Sequence, residues 1–258
     1  MSGFVWGLIV ELLGSAIVGV WAYRRVVALQ RRARSAERLA ELGTLTGGLA
    51  HEIKNPLSTV QLNLQLLEED LDPKDEHQQR VIHRLHTVQR ETGRMRETLD
   101  DFLRFAGKME LDRRPTDVNE LLEELVDFFT PQAHLQRVQI RLRKAEGPIV
   151  ASIDARLIKQ AVLNLMINAV QAMPDGGELI LSAGREDGRA RIDVIDTGPG
   201  IAAEALPNIF NAYYSTKKSG TGLGLAISQR IVHEHGGAIT VESEIGKGSD
   251  FRLSVPLE

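Results

Sequence analysis

Apolar residues at Ile53, Leu57, Val60, Leu64, Leu67 and Leu71 alternate four and three apart, the spacing of a single helix stripe. A second stripe of the same spacing runs through Val81, Leu85, Val88, Thr92, Met95, Leu99, Phe102 and Ala106. Between them, Asp70-Leu-Asp-Pro73-Lys-Asp-Glu76 joins turn formers to a Pro suited to a first helical position. Two antiparallel helices with one stripe each make half of a four-helix bundle. Neither hairpin can cover its stripes alone, so a homodimer is expected. Upstream, Val26, Leu29, Ala33, Ala36, Ala40, Gly43, Gly47 and Ala50 also repeat at three and four, heptad spacing with small seam residues. No break separates this run from His51, so one helix is expected to continue into the first stripe.

Beyond a polar connector at residues 107–115 the pattern changes. Helix-like stretches at 118–129 and 155–172 flank a strand-like run at Val138, Ile140 and Leu142. Strands are expected at 179–183 and 192–195, a helix after Gly224, and closing strands at 239–241 and 251–255. This mixed order predicts an α+β sandwich and not a doubly wound sheet.

The N-terminus has a third texture. Residues 4–23 are mostly apolar with one charge, Glu11, and about 20 such residues can cross a hydrocarbon core of ~30 Å as a helix. Trp6, Trp21 and Tyr23 lie near the ends of the run, as interfacial belts require. Arg24, Arg25, Arg31, Arg32, Arg34 and Arg38 follow. By the positive-inside rule they hold that end in the cytoplasm and leave Met1 outside. The expected organisation is a transmembrane helix (1–23), a basic juxtamembrane helix (24–40), a helical hairpin (41–107) and a C-terminal sandwich (116–258). A signal would then reach the chain from the membrane, a membrane partner protein or a cytoplasmic effector. The net charge of −4 gives no general pull toward nucleic acid, and the absence of Cys rules out disulfides and thiolate metal sites.

Candidate chemistry begins at His51. At about 100° per residue it points roughly 160° away from the first stripe, toward water. Glu52 is its neighbour, and Asn55 lies one turn on along nearly the same face. The other six histidines, His77, His83, His86, His134, His233 and His235, are read as solvated surface residues. In the second half, Asn164 and Asn168 stand at i and i+4 on a helix with an apolar face. A strand-like run delivers Asp196-Thr-Gly198-Pro-Gly200, and Gly220-Thr221-Gly222-Leu223-Gly224-Leu225 opens another amphipathic helix. Glycines at a helix start let backbone N–H groups approach phosphate oxygens where the helix dipole favours an anion.

His51-Glu-Ile-Lys-Asn-Pro, Asn164 to Asn168, Asp196 to Gly200, Phe210-Asn-Ala-Tyr-Tyr-Ser-Thr-Lys217 and Gly220 to Leu225 resemble the H, N, G1, F and G2 boxes of bacterial sensor histidine kinases, in that family's order. The likeness runs over about residues 36–258. It implies a homodimeric phosphoacceptor hairpin joined to an ATP-binding sandwich of the Bergerat type, shared with certain chaperones and topoisomerases. It also implies ATP as phosphoryl donor, Mg2+ as its metal, and a response regulator's receiver domain as partner. By the same resemblance His51 is the phosphoacceptor, Glu52 takes its proton, and Asn55 supports dephosphorylation of the regulator. Asn168 is the Mg2+ ligand with Asn164 beside it, and Asp196 takes the adenine amino group. Gly198 and Gly200 let the base approach the backbone. Gly220, Thr221, Gly222, Leu223 and Gly224 cover the phosphates, with Thr216 and Lys217 as further phosphate contacts. Ser249 stands where the family often has Thr near the adenine. The F box departs from the usual Phe-x-Pro-Phe-Phe, and Gln171 stands where some members carry Lys. An ATPase of the same superfamily would need no His51 box, and a pseudokinase scaffold would not bind nucleotide. The intact Asn168 and Asp196 argue against the scaffold.

Overall fold

The computed structural model describes residues 53–68, 71, 76–216 and 221–257. The expected membrane helix and basic segment, together with His51, Glu52, Lys217 and Gly220, lie outside the described residues. Among the described residues no helix is long and apolar enough to cross a membrane. Thr59–Phe105 and Met109–Glu258 form one compact unit.

Helix α1 (53–68) and helix α2 (Glu76–Ala106) run antiparallel. Polar pairs set their register: Arg96 donates to Gln61 at 3.1 Å, and His86 and Gln89 meet the Glu68 carboxylate at 2.6 and 3.1 Å. The hydrogen bond from His86, then that from Gln89, holds the Glu68 carboxyl below its ordinary range. The stripes are only half covered. Val60, Leu67, Val88 and Met95 remain 44%, 54%, 47% and 59% exposed, so Met95, which the spacing assigns to a core, has none within a single chain.

The connector expected at 107–115 is partly strand. Strand β1 (Arg114–Asp117) pairs antiparallel with β3 (Val150–Ile153), and neither is visible as a pattern because each is only four residues long. Asp117 then caps helix α3 (Val118–Leu135), accepting from the Asn119 and Ile149 N–H groups. The helix runs past Phe129 through Pro131, because Phe129 and Ala133 on one face are both buried. Strand β2 (Val138–Arg143), helix α4 (Ala155–Ala172), β4 (Gly177–Glu186), β5 (Arg189–Asp196), helix α5 (Gly224–Glu234), β6 (Ala238–Glu244) and β7 (Gly248–Pro256) complete the domain. One five-stranded sheet has the order β2-β4-β5-β7-β6, with β2 parallel to β4 and the other pairs antiparallel. Leu179, Leu181, Ile192, Val194, Phe251 and Leu253 pack against the apolar sides of α3, α4 and α5, which gives the α+β sandwich.

The other sheet face is polar. Ser182, Asp193 and Arg252 stand opposite one another on three adjacent strands. Asp193, nearly fully buried, accepts from Ser182 at 2.7 Å and meets Arg191 and Arg252, each at 3.1 Å.

One histidine departs from the surface reading. His235 is 2% exposed and ends α5. Its Nε2 accepts the Asp154 N–H at 3.0 Å, so Nδ1 carries the proton and donates to the Ile231 carbonyl at 2.7 Å. Asp154 in turn caps α4 through Leu157 N–H and accepts the Asp112 N–H, while Arg113 donates to the Glu234 carbonyl. The connector is thereby tied to the ends of α4 and α5.

Candidate nucleotide site

Strand β5 carries Asp196 to the edge of the core, where it pairs with Ser249 of β7, and both are buried. The Gly198 N–H donates to Asp196 Oδ1 at 2.8 Å, which aims the carboxylate. A Cβ on Gly198 would lie 2.8 Å from that same oxygen, so any larger residue would push it aside. The loop after Asp196 is clamped by the β6–β7 turn. Gly246 N–H donates to the Pro199 carbonyl and Ile201 N–H to Ser243 Oγ, both at 2.8 Å. Gly200 has φ +74° and a Cβ there would meet the Glu244 carbonyl at 2.2 Å; at Gly248 it would meet that of Asp196 at 1.9 Å. Gly246 and Gly248 therefore belong to the site's scaffold. The Gly-x-Gly between two strands was their only signal in the sequence, and it reads equally well as an ordinary turn.

The two carboxamides of α4 divide the work. Asn164 Nδ2 donates to the Gly224 carbonyl at 3.2 Å and lies 3.4 Å from Ser228 Oγ, so it ties α4 to the start of α5. Asn168, one turn on, is half-buried and makes no side-chain hydrogen bond among the described residues. An uncommitted amide oxygen on a rigid helix is a hard ligand of the kind Mg2+ accepts while it keeps waters and substrate phosphates. The residues present therefore fit Mg2+ at Asn168, with Asn164 as its support.

The third element is the start of α5. Its first intrahelical N–H bond runs from Ile227 to the Leu223 carbonyl, so the N–H groups of residues 224–226 have no intrahelical partner. Leu223 is fully buried, and its N–H reaches Thr221 Oγ1 at 3.4 Å. Gly222 and Gly224 are glycine for different reasons. Gly222 has φ +69°, and a Cβ there would lie 2.6 Å from the backbone of Tyr213. At Gly224 a Cβ would meet nothing within 4 Å, so the fold itself does not require glycine. Within the F box, Tyr213 sits at φ +65°, uncommon for a bulky residue, with its N–H on the Gly222 carbonyl at 3.1 Å. Phe210 packs edge-on against Phe251 at 6.4 Å. Thr216 is exposed, and Asn55 is exposed on α1.

A buried carboxylate at the end of a sheet strand, an amide oxygen on one helix of the facing layer and a glycine-bordered start of another define a nucleotide-binding ATPase sandwich next to a helical hairpin. Comparison with known proteins agrees. Residues 41–108 match the His Kinase A (phospho-acceptor) domain, and residues 153–258 match the family described as histidine kinase-, DNA gyrase B-, and HSP90-like ATPase. Sensor histidine kinase ZraS of Escherichia coli (strain K12) is 33% identical over 98% of this chain and 54% of its own length. Sporulation kinase D of Bacillus subtilis (strain 168) is 32% identical over 96% of this chain and 49% of its own length. Among solved structures, full-length ShkA in complex with AMPPNP superposes with a TM-score of 0.71 at 31% identity, covering 83% of this chain and 45% of that one. Histidine kinase ThkA in complex with the response regulator TrrA gives 0.62 at 26% identity, over 86% and 64%. The chain belongs to the sensor histidine kinase family, and it spans about half the length of the curated relatives it matches.

Proposed function

We propose that this chain is an ATP-dependent protein histidine kinase that phosphorylates its own His51 and passes the phosphoryl group to an aspartate of a response regulator. The observation that carries this reading is the division of labour between Asp196, aimed by Gly198, and Asn168, left uncommitted one helical turn from the Asn164 that braces the start of α5. Asp196 and the 198–200 backbone orient the adenine, and the α5 N–H groups hold phosphate oxygens. Mg2+ held through Asn168 would spread the charge of the β- and γ-phosphates. The His51 imidazole nitrogen attacks the γ-phosphorus, the bond to the bridging oxygen breaks, ADP leaves, and Glu52 takes the imidazole proton. The resulting N–P bond is then exchanged for an acyl phosphate on the regulator. Asn55, exposed one turn from His51 in sequence, orients a water that attacks the regulator's acyl phosphate, breaking its P–O bond and releasing inorganic phosphate.

The chain acts as a homodimer, supported by the half-covered stripes of α1 and α2 and by the phospho-acceptor domain match. We also propose that residues 4–23 anchor it once in the cell (inner) membrane with the catalytic domains in the cytoplasm, for the apolar run and the following arginines. Protease access to an N-terminal tag from outside cells stripped of their outer layers, with the inner membrane intact, checks this topology. The kinase reading is tested with labelled ATP. His51→Gln should abolish acid-labile labelling and keep ATP binding, because it removes only the nucleophile. Asn55→Ala should keep labelling and lose dephosphorylation of the regulator. Labelling that survives His51→Gln would refute the acceptor.

A further inference from the structure

Thr221, the second residue of the glycine-rich segment before α5, is shared between two helices. Its hydroxyl donates to Asp101 Oδ2 on the last turns of α2 at 3.0 Å and accepts the Leu223 N–H at 3.4 Å. Further along α5, Arg230 donates to the Arg104 and Phe105 carbonyls that end α2. The sandwich is therefore hydrogen-bonded to the hairpin helix at two points, one just before α5 and one on it, and these differ in kind. Arg230 satisfies helix-end carbonyls. Thr221 belongs to the segment assigned to phosphate.

We propose that Asp101 is a positioning residue that couples nucleotide occupancy to the attachment of the sandwich on α2; this rests on the reading of the α5 start as the phosphate site. A threonine hydroxyl has one proton to give. While Asp101 holds it, a phosphate oxygen arriving at Thr221 finds no donor there and meets a carboxylate of like charge. The triphosphate and Asp101 compete for one hydroxyl, so binding of nucleotide breaks the Asp101–Thr221 bond and leaves the end of α2 held by Arg230 and by Phe102 and Phe105, which pack against the sandwich core. Linkage makes this reciprocal: whatever the intact bond costs nucleotide binding, bound nucleotide costs the attachment. The nucleotide-free sandwich is held on its hairpin, and the loaded one is freed at the end of α5 nearest the phosphates. Asp101 acts through Thr221 and contacts no reacting atom.

The test uses the full chain in lipid nanodiscs, with AMPPNP and Mg2+ as the probe and ATP for turnover. Asp101→Ala should tighten the Kd for AMPPNP about fivefold, the low end of ordinary coupling between two sites, and lower the KM for ATP by a similar factor. Asp101→Asn keeps an acceptor for Thr221 but drops the charge, so it should fall between wild type and the alanine variant. It also stands in if the alanine variant does not fold. A purely structural role would leave Kd unchanged or weaken it, and either result in both variants overturns the coupling. Wild-type protein that fails to bind AMPPNP at all would instead overturn the phosphate-site reading, and the coupling with it.

Discussion

Gly224→Ala separates what the fold needs from what a ligand needs. The Gly224 carbonyl is held by Asn164 and lies within reach of Ser228, so the backbone stays where it is when the side chain changes. An added Cβ meets nothing within 4 Å and the backbone has no positive φ, so the substitution is free of strain. Replacing glycine at a compatible helical position stabilises by about 0.4–1 kcal/mol, chiefly by restricting the unfolded chain. For a domain of this size that raises Tm by roughly 1–3 °C. Nucleotide binding should move the other way, because the new methyl stands where a phosphate oxygen must reach the helix-start N–H groups. Losing one hydrogen bond to a charged group costs about 1.5–3 kcal/mol, roughly a ten- to hundredfold weaker Kd. Thermal unfolding without nucleotide and a fluorescent ATP-analogue titration with Mg2+ read the two effects separately. Gly222→Ala is the contrast: at φ +69°, against the Tyr213 backbone, it should lower stability before any ligand is added. Unchanged affinity in Gly224→Ala, or a Tm that falls without nucleotide, would refute the reasoning.

Asp196→Asn should lose ATP binding while the domain stays folded, because a neutral amide replaces the charged acceptor aimed by Gly198; wild-type affinity by titration would dispose of the pocket. Asp250 tests the polar face of the sheet. Burial, then the nearby Asp193 charge, raises its carboxyl above the ordinary range despite Arg252 at 3.7 Å. The folded state therefore keeps a proton that the unfolded chain has given up. This contribution to stability falls as pH rises from the unfolded pKa through the raised folded one, and it stays lost above that. Asp250→Asn should match wild type in acid and be at least as stable at neutral pH, and a denaturation series across pH that shows a neutral loss would contradict this.

Much of the site was legible because its determinants are local. Asn164 and Asn168 fall on one helix by their spacing of four, and Asp196 ends a run in which Ala190, Ile192 and Val194 alternate with Arg189, Arg191 and Asp193. The glycine segment before α5 marks a helix start whatever lies around it. The stripes at 53–71 and 81–106 likewise follow from the 3.6-residue period of a helix, which any stretch of chain carries by itself. The sequence alone thus determined the elements, their order and the types of group offered to a nucleotide.

Which groups meet, and what each is spent on, only the tertiary structure decided. The four-residue strands β1 and β3 exist through pairing across more than thirty residues, and no periodicity announces them. His235 looked like any surface histidine until α5 ended against the cap of α4, where each ring nitrogen found a partner. Asn164 and Asn168 are the same residue type four positions apart, yet one became a brace for Gly224 and the other stayed uncommitted. Gly222 and Gly224 differ in the same way, one filled by Tyr213 and the other facing open space. Asp101 and Thr221 lie 120 residues apart in the chain and 3.0 Å apart in the fold. Local periodicity carries no information about such contacts, because hydrogen bonds and close approaches depend on where distant elements come to rest.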